Sequence, residues 1–205
     1  MIVHLGCRAA IAVVLVWSGI ATALAQDEVR YSVYSSISRA DCPAAAKGKK
    51  PASDAHEVIV HRCTTPFGFE VTKTYLGAAV QVTIAKPKGP EQAKLGAGYD
   101  AGETIEWRGI KKGHDFTPHA AIVRLISRND AGRLVSVLAI LRVEKDRACP
   151  AAWLDVGANP QANDLARKSA DNIAGTFRCG TSEPTIIGPS TELVKDIAAR
   201  SPARP

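Results

Sequence analysis

Aromatic side chains are scarce in this chain of 205 residues, at 5%, and methionine occurs once. So few rings leave no stripe of interleaved basic and aromatic residues of the kind that tracks nucleic acid. Long apolar runs are missing too. Beyond residue 25 no stretch approaches the roughly 18 consecutive apolar residues of a membrane helix, so the remainder is expected to be soluble, without a transmembrane segment. Familiar enzyme signatures are absent: there is no G-x-S-x-G elbow, S-x-x-K, H-E-x-x-H or P-loop, and Gly96-Ala97-Gly98 stands alone. The C-x-x-C spacing that a zinc site would want is lacking as well. These absences lead to the expectation of a protein that is not an enzyme, holds no metal and uses no cofactor.

What is present begins at the N-terminus. Arg8, an apolar run from Ala9 to Trp17, and Ala23-Leu24-Ala25 before the polar Gln26-Asp27-Glu28 follow the order of a secretory signal peptide with its small-x-small cleavage site. Cys7 precedes the apolar run, where a lipoprotein signal would place it afterwards, so lipidation is rejected. Residues 1–25 are read as a signal peptide, 26–188 as a single α+β domain and 189–205 as a short helix with a flexible tail. The location is periplasmic or secreted.

The chain has 26 Lys and Arg against 20 Asp and Glu, and the signal segment holds only Arg8 among them, so the mature protein is mildly basic. The only clusters, Lys47-Gly48-Lys49-Lys50 and Lys111-Lys112, lie beside turn residues and read as solvated loop lysines.

Four of the five cysteines survive processing: Cys42, Cys63, Cys149 and Cys179. In an oxidising compartment an even count implies two disulfides, for which three connectivities exist. The spacing suggests two local bridges, Cys42 to Cys63 and Cys149 to Cys179. Each would contribute roughly 3 kcal/mol in the chain-entropy model.

Alternation predicts strands over 29–37, 57–63, 69–75 and 78–84, the last two forming a hairpin about Leu76-Gly77 with Val71 facing Val82. Residues 87–102 read as a loop with one helical turn around Glu91 to Leu95. A short strand follows at Thr104–Arg108, and two strong strands at Ala120–Ser127 and Leu134–Val143. An odd-numbered loop between these two sets Ala121, Val123 and Leu125 against Ala139, Val137 and Val135. After a strand at Ala151–Val156, Asn159 as N-cap and Pro160 at the first helical position open a helix. It carries Leu165, Ala166, Ala170, Ile173, Ala174 and Phe177 at helical spacing. A weaker helix spans Thr191–Ala199. The predicted fold is α+β: an antiparallel sheet of six to eight strands with a packed C-terminal helix.

Candidate chemistry is thin. His114 and His119 flank Asp115 and Pro118, but their five-residue separation across a proline does not place both rings on one helix face. His56 and His61 fall on opposite faces of a strand. Glu103 with Glu106, or Asp155 with Asp164, could act as a carboxylate pair only by converging on a sugar cleft. Trp107 alternates with Glu106 and Arg108 and is expected to face the core. If Trp107 were exposed beside Arg108, this strand would be the best binding patch. The speculative binding residues are therefore Trp107, Arg108, His114 and His119.

Ile105-Glu106-Trp107-Arg108, Ala148-Cys149-Pro150, and the segment from Asp155-Val156 through Asn159-Pro160-Gln161-Ala162-Asn163-Asp164 to Phe177-Arg178-Cys179 resemble a group of small, exported, uncharacterised proteins of alphaproteobacterial type. The resemblance covers most of the mature chain. It implies an envelope protein and transfers no active site. A more distant similarity of architecture is to small periplasmic lysozyme inhibitors, without a matching inhibitory loop. The expected function is non-catalytic binding of another envelope protein or a glycan. The competing expectation is a cell-wall or sugar hydrolase with a His/Asp or paired-carboxylate site. N-terminal sequencing of the exported protein is expected to read Gln26 first; retention of residues 1–25 would overturn the signal-peptide reading.

Overall fold

The computed structural model describes residues 29–44, 58–90, 92–96, 98 and 100–201. The segment read as a signal peptide, the Lys47–Lys50 cluster, His56 and residues 202–205 lie outside the described residues. Among those described are ten strands and two helices. In chain order they are β1 (Val29–Ser36), β2 (Val58–Thr64), β3 (Glu70–Leu76), β4 (Ala79–Ala85), β5 (Gln92–Gly96), β6 (Asp100–Lys112), β7 (Asp115–Arg128), β8 (Leu134–Val143), β9 (Ala148–Asp155), α1 (Ala162–Thr176), β10 (Thr185–Ile187) and α2 (Glu192–Ala199). The strands form a six-stranded sheet, β1-β6-β7-β8-β9-β10, and a four-stranded sheet, β2-β3-β4-β5.

Alternation explains how the layers stack. Ile105 and Trp107 on β6, Ala121, Val123 and Leu125 on β7, and Val137, Ala139 and Leu141 on β8 share one core with Phe69, Val71, Val82, Ile84 and Leu95 of the four-stranded sheet. The opposite residues, Ala120, Ile122, Leu138, Ile140, Ala152 and Leu154, receive Ala162, Ala166 and Ala170 of α1. The protein is thus a sheet-on-sheet sandwich with a helix on the outer face of the larger sheet. Trp107 is fully buried, its indole donating to Ser35 Oγ at 2.8 Å. Both local disulfides are present, Cys42–Cys63 beside β2 and Cys149–Cys179 joining β9 to the turn after α1.

Several expectations are corrected. The expected class holds, a largely antiparallel α+β fold with a packed late helix and two disulfides, but the described strands number ten and divide between sheets of six and four. Residues 92–96 are a strand, because Ala93 and Leu95 alternate inward with Gln92 and Lys94 outward; two apolar positions between Gly- and Pro-rich flanks are too few to reveal a period. The strand expected at Thr104–Arg108 extends over 13 residues. The β3–β4 turn is Gly77-Ala78, which sets Val71 opposite Ile84 and Tyr75 opposite Val80. The β7–β8 loop has the expected odd length, five residues, and opposes Val123 to Ala139 and Leu125 to Val137. Both hairpins differ from the predicted registers by two residues, which preserves the buried face. Asn159 does not cap α1, which starts after Gln161 in a left-handed conformation. Its amide is buried and donates instead to the carbonyl oxygens of Asp155 and Pro189. The sheet is not wholly antiparallel, since β10 pairs parallel to β9. The short terminal helix is part of the same core: Val194 and Ile197 of α2 join it, and buried Ser201 accepts the Gly96 N–H.

Two irregularities in the β6–β7 ladder shape the molecule. Pairing jumps from Ala101↔Leu125 to Ile105↔Val123, and at this break the ammonium of Lys73, only 2% exposed, donates to the Gly102 carbonyl at 3.1 Å. A buried amine here finds acceptors that the interrupted ladder leaves open. Burial pushes the Lys73 pKa down, against the opposing pull of Asp100 and Glu103. The second break lies between Arg108↔Ala120 and Gly109↔Pro118. A Cβ at Gly109 would lie 2.3 Å from the Thr117 carbonyl oxygen and 2.6 Å from the Phe116 ring, so this glycine makes the seat on which Phe116 rests. Gly109→Ala is expected to destabilise the protein by about 1–3 kcal/mol, the usual cost of overpacking, measured by equilibrium denaturation; an unchanged midpoint would contradict the seating role.

Candidate functional site

The bulge between Arg108 and Gly109 changes which way β7 presents its side chains. Phe116 belongs to the inner core, whereas His119 reaches across the outer face to α1, its Nε2 lying 3.3 Å from Asp171 Oδ1. Asp171 is already held by Arg108, which donates from Nε at 3.1 Å and from its terminal nitrogen at 2.6 Å. One turn back along α1, Arg167 donates to Glu106 at 2.7 Å. Glu106 also accepts from Ser32 Oγ at 2.6 Å, and Ser32 in turn accepts from Arg108 at 2.8 Å. The Glu106 carboxylate raises the Arg167 pKa, keeping the guanidinium charged.

Beside this network a cleft of ≈ 520 Å³ opens at the bulge. Its ring surface comes from Phe67, Phe69 and Phe116, its aliphatic surface from Pro118 and Val143, and its polar lining from Lys86, Thr117, His119, Arg142, Glu144 and Lys145. That volume is in the range of about 300–1,000 Å³ typical of small-molecule sites. Lys86 donates to the Phe67 carbonyl at 2.6 Å with its ammonium 4.6 Å from the Phe69 ring centre. Arg142 donates to the His119 carbonyl at 3.1 Å. Glu144 lies 3.9 Å from Arg142 and 3.7 Å from Arg147, so the acid of the cleft is offset by arginines and the lining is positive on balance.

Two buried polar atoms of residues that also line the cleft, His119 Nδ1 and Arg142 Nε, have no hydrogen-bond partner. A carboxylate can only accept, so the His119–Asp171 contact places a proton on Nε2 and leaves Nδ1 of the neutral ring as an acceptor. Burial pushes the His119 pKa down. Asp171 draws it back up, while Arg142 and Arg108 oppose protonation.

The four speculative binding residues do not form one site. Trp107 is in the core and presents no surface, so the patch imagined around it does not exist; Arg108, next in sequence, is on the opposite face and committed to Asp171. His114 is exposed at the tip of the β6–β7 hairpin, away from the Asp171 contact. Only His119 lines the cleft. His61 is held beside the N-terminal disulfide, with Nδ1 at 3.0 Å from the Cys42 carbonyl oxygen. The carboxylate pairs are likewise employed elsewhere. Asp155 is buried and accepts from Gly157, Ala158 and Thr191, while Asp164 pairs with Arg167 on α1. Among the described residues no group of three or more His, Cys, Asp or Glu could hold a metal ion.

Sequence reasoning missed Phe67, Lys86, Arg142 and Asp171. The first two lie in turns and the third on a strand read only for its apolar face. Asp171 sits seven residues after Asp164 on the polar side of the predicted helix, where the spacing could have suggested a contact with Arg108. No family model, curated protein or solved structure matches this chain.

Because folded His119 holds its proton less tightly than an ordinary histidine, the unfolded chain binds more protons below about pH 6.5. Stability is therefore expected to fall as the pH drops through that value towards the folded pKa. NMR titration of His119 should give a midpoint below the ordinary range, and Asp171→Asn, which removes the group favouring the cation, should lower it further. A midpoint above the ordinary value would contradict the burial argument.

Proposed function

We propose that this protein is a non-catalytic, exported binding protein of the cell envelope that holds a glycan in the cleft beside the β6–β7 bulge. The observation that carries this reading is the pairing of ring surface with a cationic lining in one concavity. Apolar ring faces suit the C–H faces of sugars, and ammonium and guanidinium groups suit carboxylate or phosphate substituents. A protein partner is less well served, because the hot spot of such an interface needs a larger desolvated aliphatic and aromatic centre than Pro118 and Val143 add to the rings. The export signal read from the sequence and the two disulfides agree with an oxidising compartment. Among the described residues no helix is long and apolar enough to cross a membrane.

One observation favours the competing hydrolase reading. His119 is oriented by a carboxylate in the manner of a general base. Against it, Arg108 occupies both Asp171 oxygens, so the carboxylate is poorly placed to support an imidazolium. Calorimetric titration with a dimannuronate tests the two together. Saturable binding weakened at least tenfold by Phe67→Ala and by Lys145→Glu, with the sugar recovered intact, is the expected result. Binding insensitive to both variants would refute the cleft, and cleavage of an oligomannuronate lost in His119→Gln would replace the proposal by the hydrolase.

A further inference from the structure

The cleft does not end at Phe116. Tyr31 on β1 pairs with Gly109, whose missing side chain admits the Phe116 ring to the inner face of the sheet. The Tyr31 and Phe116 rings lie 6.5 Å apart, edge to face, and Phe116 lies 5.2 Å from Phe67. Three rings thus run in a row from the outermost strand of the larger sheet into the cleft, and none is fully buried; Tyr31 is 47% exposed. An ammonium stands near each end of the row: Lys86 donates to the Phe67 carbonyl inside the cleft, and Lys111 lies 5.1 Å from the Tyr31 ring centre outside it. The charge of Lys111 has no role in the ion pairs that tie α1 to the sheet.

We infer that the site takes a linear acidic oligosaccharide, one end seated in the cleft and the rest running over Phe116 to Tyr31 and Lys111. This deepens the glycan-binding reading above and rests on it. A partly exposed ring with an ammonium near it occurs at both ends of the row, Phe67 with Lys86 and Tyr31 with Lys111, which suits a ligand repeating a sugar face and an acidic substituent along its length. A single small anion would use the cleft alone. An extended peptide added alongside β1, the edge strand among the described residues, would be recognised by main-chain hydrogen bonds, for which a row of rings on the sheet face is not needed.

The test is calorimetry on the exported protein with dimannuronate, hexamannuronate, the carboxyl-reduced hexamer and hexaglutamate. The hexamannuronate is expected to bind at least tenfold more tightly than the dimer. Tyr31→Ala and, separately, Lys111→Gln should erase that advantage while leaving the dimer affinity unchanged. The reduced hexamer should bind weakly or not at all. Lys111→Gln alters only an exposed side chain, so it remains informative if Tyr31→Ala loosens β1, which thermal melts would reveal. Equal affinity for dimer and hexamer, with binding still lost in Phe67→Ala, overturns the extended track and leaves the cleft reading intact. Hexaglutamate matching hexamannuronate overturns the glycan in favour of an acidic peptide. Absence of saturable binding by all four at millimolar concentration overturns both.

Discussion

Trp153 and Leu154 are neighbours on β9, and both are fully buried, Trp153 in the core shared with the four-stranded sheet and Leu154 against α1. All eight residues of this strand are buried. An interior strand with large apolar side chains on both faces has to be covered twice, since each such side chain left in water forfeits about 1.5–3 kcal/mol. The second sheet and the helix are the two covers, and every other feature of the molecule is arranged around them.

The helix cover is unusual in its chemistry. The fully buried stripe of α1 is alanine, at positions 162, 166 and 170, which lets the helix approach closely but buries little area per residue. Orientation then falls to the half-buried ion pairs Arg167–Glu106 and Arg108–Asp171. Their signs alternate between the two elements. Reversing the helix would face Glu106 with Asp171 and Arg108 with Arg167, so the charges admit one direction and disfavour the other. This same clamp brings Asp171 to His119, which links the packing of the helix to the lining of the cleft.

The cleft itself follows from two departures from a regular sheet. An extra residue in β7 moves His119 to the outer face while keeping Phe116 on the inner one, and Gly109 leaves room for the Phe116 ring. Bulges commonly re-aim side chains near functional sites. The consequence here is that one short segment, Phe116 to His119, supplies the ring, the aliphatic and the imidazole parts of the cleft lining.

Much of the fold was legible in the chain: the strands read at 29–37, 57–63, 69–75, 78–84 and 134–143, each within a residue of its observed bounds, the late helix, the local pairing of the cysteines and the burial of Trp107. These depend on alternation, helical spacing and loop closure, which act over a few residues and leave a pattern in the order of side chains. The division into two sheets, the strand at Gln92–Gly96, the parallel pairing of β10 and the release of Asn159 from capping depend on contacts between distant segments, which a local period does not record. The cleft belongs to this second group. Phe67, Lys86, the β7 segment from Phe116 to His119, and Arg142 come from separate turns and strands, and only the packed sandwich, with its bulge and its helix clamp, brings them together. Local order decided which residues could be buried; the requirement to cover one sheet on both faces decided where the remainder meet.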